Sequence, residues 1–189
     1  HWPELPQADF LAPEGYTAVY ETNAVTRHGE HGNALLTRWP VLRTSHQDIS
    51  DHRFEQRGLL HVVIDVEGRR VHAIVVHLGL IRGSRVRQVA RLREFIDREV
   101  PPDEAVVVAG DFNDWGARMR YAMNAMGLRD TSDLRGARTL TYPSRLPVAQ
   151  LDFVYGRRLE PQACTVPRGP IWARMSDHLP LVADFTLLN

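Results

Sequence analysis

The stretch Ala105-Val106-Val107-Val108-Ala109-Gly110-Asp111-Phe112-Asn113 decides how this chain folds. A short β-branched run without charge, closed by Gly, has the pattern of a central strand buried on both faces. When such a strand ends in Gly-Asp-x-Asn, it delivers a carboxylate and an amide to the rim of a sheet, where α/β proteins place their ligands. There Asp111 can take a proton from a water or hold it in line, and Asn113 can donate a hydrogen bond to the same reacting group. A strand ending in an Asx turn has the same composition, so the tetrapeptide gains chemical meaning only from its company.

Upstream of it, residues 84–100 carry Val86, Val89, Ala90, Leu92, Phe95 and Ile96 at helical spacing with Arg and Glu between them, which predicts an amphipathic helix that Pro101-Pro102 stops. Before that helix, β-branched runs over residues 57–66 and 71–77 flank Gly68-Arg69 and read as a hairpin. Three earlier strands are expected over residues 16–21, 33–38 and 42–48. Residues 22–32, with Arg27, His28, Glu30 and His31, read as a polar loop; two His three apart with no third ligand nearby suit a solvated loop better than a metal site. The first fifteen residues, punctuated by Pro3, Pro6, Pro13 and Gly15, are expected to be irregular apart from one helical turn over residues 8–11. Downstream, a helix over residues 115–126 would turn Met119, Ala122, Met123 and Met126 into the core, and Gly127 would end it. A loop-rich stretch over 131–147 and strands over 151–155, 163–166 and 181–187 complete the chain, and no repeat or linker divides residues 1–189 into more than one domain.

With 189 residues, 43% of them apolar, the chain can bury a full core. A net charge of zero weighs against a dedicated nucleic-acid coat while leaving room for a local basic groove. All 23 basic residues are Arg, which fits a GC-rich genome or guanidinium recognition of phosphate, the former being the simpler reading. The one cysteine, Cys164, can form no internal disulfide and has no partners for a thiolate metal site. No signal peptide or membrane span is visible, so no stable membrane insertion and a cytoplasmic location are expected. The chain opens on His1-Trp2-Pro3 without an initiator Met, so an upstream segment could carry a targeting signal.

Four points at strand ends or beside them converge: His77, Asp111 with Asn113, Asp152, and Asp177 with His178. These residue types suit hydrolysis of a phosphate ester, which needs a divalent cation, donors for the non-bridging oxygens and a base of near-neutral pKa. His61 and His72, mid-strand, read instead as satisfied face residues, whereas His77 ends its strand and has a route to a site. In order along the chain, Asn33-Ala34-Leu35-Leu36-Thr37-Arg38, Val76-His77-Leu78, Gly110-Asp111-Phe112-Asn113, Leu151-Asp152-Phe153 and Ser176-Asp177-His178-Leu179-Pro180-Leu181 resemble the successive motifs of the endonuclease/exonuclease/phosphatase superfamily. The resemblance spans residues 33–181.

That resemblance implies an α/β (α+β) fold, a four-layer α/β sandwich with two packed mixed β-sheets flanked by helices. It also implies roles. His178 would deprotonate or orient the attacking water with Asp152 as its carboxylate partner; Asp111 would position the nucleophile or the metal; Asn113 would stabilise the transition state; Asp177 would ligate Mg²⁺, or Mn²⁺; and His77 would donate to the phosphate. Two weaker substrate-binding candidates are Arg57, in a place where similar proteins put a phosphate-binding Arg, and Asn33, which could reach the site or satisfy backbone. One departure stands out. Members of the superfamily begin with a strand ending in Asn and a later strand ending in Gln-Glu, whose Glu binds metal, and nothing before Tyr16 is similar, Glu4, Glu14 and Glu21 lying in the wrong context. The expectation is a member lacking its N-terminal strand-helix-strand unit, with weakened metal binding and an uncovered apolar face or sheet edge. A metal-dependent phosphoesterase is therefore expected, its substrate a lipid or other small head group before a nucleic acid. The rivals are a nuclease and a catalytically silent member that only binds a partner or phosphorylated ligand. A calcineurin-like metallophosphatase is remote, since its Gly-Asn-His-Asp signature is absent.

Overall fold

The structure, a computed structural model, describes residues 7–26, 29–135 and 139–188. Its centre is a six-stranded mixed sheet in the order β3-β4-β5-β6-β8-β7. The strands are β3 (Val41–Asp48), β4 (Gly58–Val66), β5 (Arg69–His77), β6 (Ala105–Asp111), β7 (Arg129–Asp130) and β8 (Asp152–Arg157). Of the adjacent pairs only β5 and β6 run parallel. Their crossover is α2 (Arg82–Glu99), the predicted amphipathic helix, which seals one sheet face through Val89, Leu92, Phe95 and Ile96 against Ile74, Val76, Val106 and Val108. A short α3 (Arg120–Asn124) adds Met123 to the same core.

The opposite face is covered by two separate antiparallel ribbons. One is β1 (Thr17–Thr26) with β2 (Gly29–Thr37); the other is β9 (Leu159–Thr165) with β10 (Val182–Leu187). The first packs on β4 and β5, and the second closes a small cluster of Leu159 and Phe185 on Val71, Ala105 and Val107. Helices, central sheet and ribbons give the mixed α/β sandwich that the motifs imply. A short α1 (Gln7–Leu11) precedes β1, and a four-residue α4 (Trp172–Met175) precedes β10.

Three expectations are corrected. Residues 22–26 and 29–32 are not a loop but the far half of the β1–β2 hairpin, paired as Thr22 with Gly32, Ala24 with His31 and Val25 with Glu30. This end of the ribbon is exposed, so cross-strand pairing rather than apolar alternation specifies it. Arg27 and His28 lie outside the described residues. The helix expected over 115–126 forms only at Arg120–Asn124, because residues 114–119 turn instead, the Asp114 carboxylate accepting the Met119 N–H at 2.7 Å. Finally, β9 begins at Leu159, four residues before the expected start, in register with the end of β10.

Candidate active site

Strand register assembles the site. In the β5–β6 ladder His77 faces Asp111, and in the β6–β8 ladder Asp111 faces Asp152. Residues directly opposite in a ladder project to the same face, so three chemically active side chains from three strands stand side by side on the face away from α2. Gly110 makes this possible. Its φ is +146°, and a Cβ there would run into the Val76 carbonyl oxygen. The loops beyond the strand ends are fastened by backbone bonds, Leu78 N–H to the Asp111 carbonyl at 2.8 Å and Phe112 N–H to the Leu151 carbonyl at 2.9 Å.

His77, Asp111, Asn113, Asp152, Asp177 and His178 line one open cleft of about 550 Å³, and Arg57 lines it with them. At its centre His178 Nδ1 lies 2.8 Å from Asp152 Oδ2, and the same oxygen accepts the Thr141 hydroxyl at 2.6 Å. That hydrogen bond, helped by the charges of Asp152, Asp111 and Asp177 and opposed by burial, raises the His178 pKa above the usual histidine value. The ring of His77 approaches Asp111 Oδ2 to 3.5 Å. Surrounding protein and, less strongly, the Arg57 charge push its pKa down to about 4, so it is a neutral donor at pH 7. Burial raises the pKa of Asp111, opposed by the Asn113 backbone N–H on its Oδ1 at 2.8 Å. Asn113 sits at φ +48°, and its amide donates to the Leu78 carbonyl at 2.9 Å, leaving its second N–H for the cleft.

Asn33 is the exception among the predicted site residues. Its buried amide donates to the Gly58 carbonyl at 2.8 Å and the Val75 carbonyl at 3.2 Å, so it ties β2 to the central sheet and does not line the cleft. Backbone satisfaction, the second of its two readings, accounts for it. Three contributors lie outside the sequence motifs. Thr141 anchors Asp152; Tyr142 lies 4.9 Å from the His178 ring, centroid to centroid; and Trp115 packs edge-on against Tyr142 at 6.0 Å. The Thr139-Leu140-Thr141-Tyr142-Pro143 segment stood out in the loop-rich region, but only tertiary structure brings it to His178, where Leu179 N–H donates to the Thr141 carbonyl at 2.8 Å.

A family model described as endonuclease/exonuclease/phosphatase matches residues 1–178. The chain belongs to the endonuclease/exonuclease/phosphatase family. Among its relatives in that family is the uncharacterized protein YbhP of Escherichia coli K12, 35% identical over 99% of this chain and 76% of YbhP. The sphingomyelinase C of Leptospira interrogans is 31% identical over half of this chain and 19% of that enzyme. Solved structures share the fold. The mannosyl-6-phosphatase Bt3783 of Bacteroides thetaiotaomicron superposes with a TM-score of 0.77 at 15% identity, over 92% of this chain and 78% of that one. An endonuclease/exonuclease/phosphatase from Bacteroides vulgatus gives 0.76 at 19% identity, over 92% and 77%.

Asp111 and Asp177 are the cleft carboxylates outside the Asp152–His178 pair, and they are the ones that could offer oxygens to a cation. Among the described residues no group of three His, Cys, Asp or Glu is placed to hold a metal ion. Two carboxylates nevertheless suit Mg²⁺, which keeps several waters and takes its remaining ligands from substrate phosphate oxygens.

Proposed function

We propose that this chain is a divalent-metal-dependent phosphoesterase in which His178 activates water for attack on phosphorus. The observation that carries the reading is the Thr141–Asp152–His178 chain of hydrogen bonds opening on a cleft that also holds Asp111, Asn113, His77 and Arg57. With Nδ1–H donating to Asp152, the neutral His178 ring has its lone pair on Nε2, the atom that takes the proton of the attacking water. Asp152 fixes the tautomer and stabilises the imidazolium formed. Asp111 orients the water, and the free N–H of Asn113, the neutral His77 and the Arg57 guanidinium supply donors to the non-bridging oxygens as charge builds on them. Mg²⁺ or Mn²⁺, held by Asp111 and Asp177, would neutralise phosphate charge and stabilise the leaving oxygen.

Hydrolysis of bis(p-nitrophenyl) phosphate with Mg²⁺ or Mn²⁺ tests this. Turnover that is lost in His178→Ala and Asp111→Ala and abolished by EDTA is expected, and turnover unaffected by His178→Ala would overturn it. A second reading, a phosphate-binding member without turnover, draws on the cleft's two cation-facing carboxylates where three donors would hold a metal more firmly. Its signature would be saturable binding of inorganic phosphate, dependent on Arg57, with no hydrolysis under any metal.

A further inference from the structure

Around the cleft, four separate loops or helix ends each present an exposed apolar side chain beside an exposed arginine. Arg53 and Phe54 lie in the loop before β4, with the guanidinium 4.6 Å from the centre of the Phe54 ring. Leu80 and Ile81 lie between β5 and α2 and Arg82 opens α2, Arg145 and Leu146 follow Tyr142, and Arg174 and Met175 close α4 just before Asp177. Phe54, Leu80, Ile81, Leu146 and Met175, and with them Trp115, are all more than half exposed.

These loops form one rim. Phe54 and Leu80 line adjoining pockets that share Arg57 and His77. The Leu80 N–H donates to Glu55 at 3.0 Å, joining the first two loops. Ser144 donates from its N–H to the Asp177 carbonyl and from its hydroxyl to the Ser176 carbonyl, both at 2.7 Å, joining the last two. The charge pattern is local. Arg87, Arg93 and Arg98, on the outer face of α2, are each spent on a carboxylate, whereas Arg53, Arg82, Arg145 and Arg174 have no carboxylate within ion-pair distance among the described residues.

We propose that this rim is a peripheral membrane-contact surface: its apolar tips enter the interface of an anionic bilayer while its arginines meet lipid phosphates, setting the cleft over a phospholipid head group. The substrate half of this inference rests on the phosphoesterase reading; the binding half does not. Aliphatic tips beside cations suit a lipid interface. Recognition of a single nucleic-acid strand would instead call for a row of flat aromatic platforms along a basic groove, and here the tips are chiefly Leu, Ile and Met on a chain of zero net charge. No helix among the described residues is long and apolar enough to cross a membrane, and a surface contact requires none.

The test is co-sedimentation of the full chain with vesicles of phosphatidylcholine alone and of phosphatidylcholine mixed with phosphatidylglycerol, read without turnover. Binding to the mixed vesicles is expected, weakened by added salt, by Arg145→Glu/Arg174→Glu, and by roughly tenfold or more in Ile81→Ser/Leu146→Ser. Both double variants should fold, as judged by circular dichroism, and hydrolyse bis(p-nitrophenyl) phosphate as the parent does. Equal binding of parent and Ile81→Ser/Leu146→Ser, absence of binding to mixed vesicles, or tighter binding to an oligothymidylate that the same substitutions abolish would overturn the proposal. If the parent binds vesicles but hydrolyses nothing, the catalytic reading fails and the surface stands.

Discussion

His178 owes its character to one oxygen. Asp152 Oδ2 accepts both the His178 ring N–H and the Thr141 hydroxyl, so the carboxylate is held from behind while it holds the imidazole in front. Because the hydrogen bond raises the His178 pKa, the ring sheds its proton at higher pH than an ordinary histidine, and a base needs the deprotonated form. The acidic limb of kcat/KM should therefore lie above the usual histidine value and move to lower pH in Asp152→Asn, whose maximal rate should fall by about 10²–10⁴. A pH–rate series on the two proteins measures both effects; an unmoved limb would separate His178 from the chemistry. Thr141→Val should act through the same oxygen more mildly, costing about tenfold in kcat with little change in KM. The paired residues of the site were legible in sequence because each lies at a strand end or in the loop beside one. Thr141 was not, because a hydroxyl in an irregular segment carries no sign of which carboxylate it will meet. Asn33 shows the converse: its type was right for a phosphate contact, but burial between two carbonyls gave its amide a stronger use.

At the scale of elements, β6 carries the site and α2 carries β6. The uncharged Val106-Val107-Val108 run and the 3.6-residue spacing of α2 are strong periodic signals, and both elements form where the sequence placed them. The signals that misled were short or exposed: the polar end of β1–β2, fixed by pairing, and the 114–119 turn, fixed by the Asp114 carboxylate. The end of β6 also has the least tolerance. At Gly110 the positive φ and the approach of the Val76 carbonyl act together, so Gly110→Ala should destabilise the fold by about 2 kcal/mol or more and displace Asp111. At Gly127, also at positive φ, an added Cβ would meet only the flexible Arg157 side chain at 3.4 Å, and Gly127→Ala should cost about 1 kcal/mol. Urea titrations of the two variants read the difference, and only Gly110→Ala should also lose turnover.

Across the whole molecule, the second layer was only partly legible. Between the two ribbons a groove of about 630 Å³ runs over Val71, Val107 and Val154 to Phe185. Nothing in a period-2 pattern tells a strand which of two ribbons it will join. One side of the central sheet, by contrast, is bound together by a largely buried polar chain that the sequence showed only as two mid-strand histidines. The Ser45 hydroxyl meets His61 Nδ1 at 3.0 Å, His61 Nε2 meets His72 Nδ1 at 2.9 Å, and His72 Nε2 meets Glu104 at 2.6 Å, linking β3, β4, β5 and the entry to β6. Arg70 also pairs with Glu104, while Phe95 packs edge-on against His61 from α2. Burial, then the facing His72 and the Arg43 charge, lower the His61 pKa to about 4, with Glu99 opposing. An unfolded chain protonates this histidine near the ordinary value of about 6.5, so between the two values the unfolded state binds a proton that the folded state refuses. Stability should hold above that window and decline as pH falls through it, by up to about 1.4 kcal/mol per pH unit for one such group, and level off once the folded state is protonated as well. His77, lowered in the same direction, adds to the slope; His178, raised, contributes oppositely, stabilising at low pH and losing that contribution as pH rises through its folded pKa. His61→Gln keeps a donor and an acceptor but cannot titrate, so it should be less stable than the parent at pH 7.5 and flatter between pH values of about 4 and 6.5. Urea midpoints at four pH values decide it: parallel curves for parent and variant would mean that the buried pair takes up its proton in the folded state as readily as in the unfolded one.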